Sequence, residues 1–176
     1  IYFTTGHDEH PVEGDQNPVG YSILKSELTK QGYTVKDLNL FQRFVRLCAG
    51  RVGGLLNLHS LGNDAGVSHT TARAWITLLQ AGYIVFLLEP YHANISKRLV
   101  KTPKLFFYDS GLLATLLGLT PERIAANRAL FGTLLETFVF SEIAKQIAGS
   151  KEDWRIFHYR DKDQNEVDFV IENDWG

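Results

Sequence analysis

The chain has 176 residues, 44% of them hydrophobic, which is enough to bury a core in one domain or two small ones. No run approaches the roughly 18 apolar residues of a membrane span, and the opening lacks the basic-then-apolar layout of a signal peptide, so a cytoplasmic location is expected. The net charge of -2 is unevenly spread: residues 1–40 hold three Lys/Arg against six Asp/Glu, residues 41–108 eight against two, and residues 109–176 seven against twelve.

In chain order, Ile1 to His7 read as a short strand ending at Gly6, followed by a polar loop through Pro18. Tyr21, Leu24 and Leu28 share a helical face, and Gln31-Gly32-Tyr33 stops that helix before an extended Val35, Leu38 and Leu40 region. The sum is one β-loop-α-β unit over residues 1–39, too short to complete a doubly wound sheet. From Leu40 a helix carries Phe41, Phe44, Val45 and Cys48 on one stripe until Gly50, Gly53 and Gly54 end it. Cys48, the single cysteine, reads as a small core residue.

A short helix follows, with Asn57 as N-cap and Leu58, Leu61 and Ala65 facing inward. After the turn at Asp64 to Ser68, Ser68 caps a second helix whose Ala72, Trp75, Ile76 and Leu79 form a buried stripe up to Gly82. Residues 83–88, stopped by Pro90, and residues 105–108, after Pro103, are β-rich and pair as a hairpin. The layout over residues 40–108 is a winged helix-turn-helix. The loop between the strands carries Lys97, Arg98 and Lys101, with Lys104 just beyond it.

A leucine-rich helix is expected over residues 112–117, a Thr120-Pro121-Glu122 start for the next, and a longer helix over residues 132–147. Residues 154–160 and 166–171 read as strands joined by a polar turn. The expected class is therefore α+β.

Burial of Ala72, Trp75, Ile76 and Leu79 turns His69, Thr70, Arg73 and, less directly, Thr71 outward from the start of the second helix of the pair. That end of a recognition helix reads a groove. Its N-terminus favours phosphate, and Lys97, Arg98 and Lys101 would add phosphate contacts that carry no sequence information. A basic module between acidic ones suits a nucleic-acid-binding insert, and equally a basic face that docks on an acidic neighbour.

The motifs Leu56-Asn57, Gly66-Val67-Ser68, Thr71-Ala72, Trp75, Pro90-Tyr91, Lys97-Arg98-Leu99-Val100-Lys101, Pro103-Lys104-Leu105 and Tyr108-Asp109-Ser110-Gly111-Leu112 resemble the winged helix of prokaryotic AAA-type ATPases. Gly132, Leu135-Glu136, Val139, Ser141-Glu142, Tyr159-Arg160 and Glu166-Val167-Asp168-Phe169-Val170 resemble the uncharacterised C-terminal domain of the same proteins, which is similar to the PD-(D/E)xK nucleases. The resemblance implies a truncated restriction-endonuclease-like α/β fragment over residues 109–176, nucleic acid (DNA) as partner, and the ATPase domain of a parent chain as another. No Gly-x-x-x-x-Gly-Lys-Ser/Thr loop stands in these residues, so ATP hydrolysis is not expected of them, and the Glu-x-Lys strand of the nuclease pattern is not reached. Phe3-Thr4-Thr5-Gly6-His7, Gly20-Tyr21-Ser22 and Gln31-Gly32-Tyr33-Thr34-Val35 separately resemble an auxiliary domain of gliding-type ABC transporters, which implies a composite chain joined near residues 35–40.

Glu136 shares its helix face with Val139, Phe140, Ile143 and Ile147, a costly place for a carboxylate without a partner. Asp168 is expected on one strand face with Val170, opposite Val167, Phe169 and Ile171, with Glu166 on the opposite face from Asp168. Glu136 and Asp168 are the candidate ligands of a Mg²⁺ ion; the alternative is a structural pair with Arg160 or another basic group. His7, Asp8, Glu9 and His10 form a weaker cluster in one loop. Three functions stay open: nucleic-acid binding without catalysis, a metal-dependent nuclease half-site completed by further residues, and a protein–protein interaction module.

Overall fold

A computed structural model describes residues 35–91, 102–161, 163 and 165–173. Two compact units divide the chain, Ile1–Leu40 and Phe41–Gly176. The expected strand and helix before residue 35, and the His7 to His10 cluster, lie outside the described residues, as do Lys97, Arg98 and Lys101. Of the segments expected as two domains, 40–108 and 109–176, all residues from Phe41 onward lie in the second compact unit.

Helix α1 (Val35–Ala49) corrects one expectation, because the extended run at Val35, Leu38 and Leu40 is helical. Val35, Leu38, Phe41 and Val45 recur at intervals of three and four, which is helical spacing continuous with the later stripe, and Asp37 sits in the first turn, where a carboxylate meets the positive end of the helix. Phe44 and Cys48 are fully buried. Burial pushes the Cys48 thiol up to about 12, against a smaller opposing effect of Arg51, so it is an inert core group.

Helix α2 (Leu58–Ala65) starts where Asn57 Oδ1 accepts from the Ser60 amide at 2.9 Å and stops at Gly66, whose φ of 79° is left-handed. Helix α3 (His69–Ala81) starts at Ser68, whose hydroxyl accepts from the Thr71 amide at 3.1 Å. Gly62 permits the tight approach of the pair: a Cβ there would lie 3.0 Å from the Val67 carbonyl oxygen and 3.5 Å from Ala72 Cβ. Ala72, Ile76 and Leu79 are buried, and Trp75, half-buried, meets Phe41 and Phe44 edge-on with ring centroids 5.2 Å apart in both pairs.

Strands β1 (Val85–Leu88) and β2 (Lys104–Phe107) pair antiparallel, with Val85 opposite Phe107 and Leu88 opposite Lys104. An isolated antiparallel bridge places Leu55 against Lys104 on the other edge, so β2 is held from both sides. The hairpin is buried on both faces, and alternation assigns each face a separate core. Val85, Leu105 and Phe107 pack with Phe44, Leu61, Ile76 and Leu113. Leu88 and Phe106 pack with Phe140 instead, helped by Phe86, Ile156 and Phe169.

Three helices follow, each with an Asx or threonine cap: α4 (Ser110–Leu116) at Asp109, α5 (Pro121–Ala126) at Thr120 with Pro121 in the first turn, and α6 (Arg128–Gly149) at Asn127. The last begins four residues before the sequence expectation, because Asn127 Oδ1 accepts from the Ala129 and Leu130 amides and Gly132 is carried inside the helix. Phe140 is its buried anchor, stacked on Phe106 with centroids 5.0 Å apart, while Phe131, Leu135 and Phe138 remain exposed along another side.

Strands β3 (Arg155–Arg160) and β4 (Glu166–Glu172) form the second antiparallel pair. Phe157 faces Val170 and Tyr159 faces Val167, so His158 stands opposite two residues, Asp168 and Phe169. This extra residue breaks the strict alternation expected of β4, because a bulge turns neighbouring side chains toward the same side. Phe169 accordingly joins the Phe106–Phe140 core, while Asp168 reaches toward Lys104.

Candidate functional site

Two constellations contain the candidate residues. The first is the N-terminal end of α3, where Thr70 and Arg73 are exposed and His69 is half-buried. Thr71 is engaged locally, its hydroxyl 2.9 Å from Ser68 Oγ. His69 stacks on His59 of α2 with ring centroids 4.5 Å apart, and the two imidazoles line a shallow groove with Leu55, Asn57 and Thr102. Arg73 makes no ion pair among the described residues, and its carbonyl accepts from the Thr77 hydroxyl at 3.1 Å. The structure therefore brings His69, Thr70 and Arg73 to one exposed helix end, with amides and an uncompensated guanidinium available to an anion.

The second constellation joins elements far apart in sequence. Lys104 of β2 is 3% exposed, and its ammonium hydrogen-bonds Glu166 Oε1 and lies 3.8 Å from Asp168 Oδ1. Period-two geometry sends the Lys104 side chain to the same face of β2 as Phe106, toward α6 and β4. Glu136 approaches from α6 with its carboxylate against Gly53, where a Cβ would lie 3.1 Å from Glu136 Oε2. Gly53 has a φ of 75°, in the region that favours glycine, and its amide donates to the Leu105 carbonyl at 2.9 Å.

The electrostatics of the four side chains are mutually dependent. Burial, then the negative charge of Asp168, raise the Glu136 carboxyl above its ordinary range; Lys104 opposes this and Glu166 adds to it. The hydrogen bond from Lys104 holds Glu166 below its ordinary range, with smaller contributions from Arg160 and His158. Among the described residues, no group of three or more His, Cys, Asp or Glu side chains is disposed to hold a metal ion.

The two acidic residues singled out in the sequence, Glu136 and Asp168, thus belong to one cluster, but sequence reasoning missed two of its members. Glu166 lies on the same side as Asp168, not opposite it, since both reach Lys104. By sequence position Lys104 groups with the basic loop that precedes it. The signal that could have found it is its position: a lysine opening a strand that is apolar on both faces must bury its stem and find an anion.

Residues 131–175 match a model described as Domain of unknown function (DUF4143). Uncharacterized proteins of Mycobacterium bovis and Mycobacterium tuberculosis are each 27% identical over 151 residues, which cover 86% of this chain and 33% of theirs. The chain thus spans about a third of the length of the curated relatives it matches. No solved structure matches it. Residues 21–123, more than half of the chain and a span that crosses residues 35–40, match the model described as Domain of unknown function (DUF8612), and the chain belongs to that family.

Proposed function

We propose that residues 40–108 are a winged-helix module that binds nucleic acid, DNA in the first instance, within the C-terminal region of an AAA-type ATPase. The observation that carries this reading is the outward end of α3. Ala72, Ile76 and Leu79 are committed to the core, and Thr70 and Arg73 face solvent with no acidic partner for Arg73 among the described residues. The helix pair, the antiparallel hairpin that follows it and the Leu55–Lys104 bridge support a winged-helix layout. The tie to an ATPase rests on the resemblance of the motifs and is compatible with relatives about three times as long as the matched region.

The test is a fluorescence-anisotropy titration of labelled duplex DNA at two salt concentrations, with the Arg73→Ala/Lys97→Ala/Arg98→Ala variant alongside. Binding should weaken with salt, and the variant should lose roughly 0.9 of log-log slope for each phosphate contact removed. Equal binding by both proteins would sink the reading. A second reading, a protein–protein interaction module, is favoured by the exposed Phe131, Leu135 and Phe138 of α6, and it requires that no nucleic-acid signal be present at low salt.

A further inference from the structure

The nuclease resemblance implies a divalent cation held by Glu136 and Asp168, and the donor set does not fit one. Mg²⁺ demands near-octahedral oxygen ligands at about 2.0–2.1 Å and keeps several of its waters, while Ca²⁺ needs six to eight oxygens. At this cluster the space beside Asp168 and Glu166 holds the ammonium of Lys104, and backbone at Gly53 backs the Glu136 carboxylate. We infer that Lys104 is a built-in counterion that stands where a divalent cation would stand among Glu136, Glu166 and Asp168, so that the cluster docks the β3–β4 hairpin and α6 onto the β1–β2 hairpin instead of binding metal.

Three observations carry the inference together. Lys104 is built into the cluster: its backbone is bridged to Leu55 on one side and paired with Leu88 on the other, its side chain is buried, and its ammonium is hydrogen-bonded to Glu166. A divalent ion entering beside a fixed ammonium would meet its charge at a few ångströms, which in a partly buried setting opposes binding strongly. The partners also come from α6 and β4, on different parts of the chain, and the Phe106–Phe140–Phe169 contacts lie next to them on the same face of β2. An ion network beside an apolar seam fixes the geometry of the seam, since a slip of β4 by one residue would move both carboxylates off Lys104.

The experiment is a Mn²⁺ titration of the chain followed by paramagnetic broadening, in the natural sequence, in Lys104→Gln, and in Lys104→Gln/Glu136→Gln. The expected result is no specific broadening at Glu136 or Asp168 in the natural sequence. Lys104→Gln should bind Mn²⁺ at least about tenfold more tightly, because the opposing charge is gone, and the double variant should lose that gain. Specific broadening of Glu136 and Asp168 with Lys104 in place overturns the inference, and so does a folded Lys104→Gln protein that gains no affinity. Should Lys104→Gln fail to fold, the natural protein decides by itself. Its Lys104 ammonium should give a ¹H–¹⁵N signal that millimolar Mg²⁺ leaves unchanged, and displacement of that signal by Mg²⁺ overturns the inference. Neither readout involves nucleic acid, so the outcome is independent of the winged-helix proposal.

Discussion

Replacing Lys104 by methionine keeps the length of the stem and removes the charge, which isolates the electrostatic part of the cluster. Two interactions are lost. The Lys104–Asp168 contact at 3.8 Å has a gross attraction of about 4 kcal/mol at an effective dielectric of 20, but the Asp168 side chain is 63% exposed and solvent screening brings its net value down to about 0–1 kcal/mol. The hydrogen bond to Glu166, whose side chain is 34% exposed, is charge-assisted and contributes about 1.5–3 kcal/mol. The variant also leaves Glu136, Glu166 and Asp168 to repel one another, so the expected loss is about 2–4 kcal/mol at neutral pH. Urea unfolding reads it as a lower midpoint with an unchanged slope. A double-mutant cycle with Glu166→Gln should return a coupling above about 1 kcal/mol, because the two side chains share one interaction. A loss below about 0.5 kcal/mol, the range of ordinary surface substitutions, would refute the claim that Lys104 is a buried counterion.

Glu136→Gln should act in the opposite direction. Burial and Asp168 raise the Glu136 carboxyl in the folded chain, so its contribution is present below the unfolded value and is lost as pH rises through the folded one. At neutral pH the substitution should therefore stabilise, with the gain vanishing on acidification; a gain that grows toward acid contradicts the assignment. For Glu166, held low by Lys104, the sign reverses, and Glu166→Gln should cost stability above the ordinary carboxylate range and little once pH falls below the folded value. Gly62→Ala should destabilise by about 1–3 kcal/mol through overpacking against the Val67 carbonyl, measured by thermal unfolding.

Helix caps and stripes were legible from the residues alone because they are local. Asn57, Ser68 and Thr120 each cap the helix assigned to them, and Ala72, Ile76 and Leu79 are buried at the spacing that identified them. The extended reading of Val35 to Leu40 failed on a short apolar run, where periods of two and 3.6 are hard to separate until the run is joined to the Phe41 stripe. Strand ends were likewise off by a residue or two, as at β1, which starts at Val85 after Tyr83 takes a φ of 53° and leaves the strand.

The acidic cluster was half legible for a different reason. A carboxylate on an apolar helix face is visible in sequence, and so Glu136 stood out; its partner could not be read, because Lys104 lies 32 positions away and belongs by composition to a basic loop. Period-two spacing does put Glu166 and Asp168 on one side of β4, against the opposite placement expected for them, but it could not bring Phe169 to that side as well, since the register shift opposite His158 changes which neighbours share a side. What decides both is the same fact of the fold: β2 is covered on both faces, so its one charged residue must be answered by whatever packs on that face. The exposed end of α3 and the buried end of β2 thus divide the basic residues of residues 41–108 into different roles. Arg73 remains exposed, whereas Lys104 is committed to the carboxylates of α6 and β4, so under the proposed nucleic-acid reading only the former would add to the salt dependence.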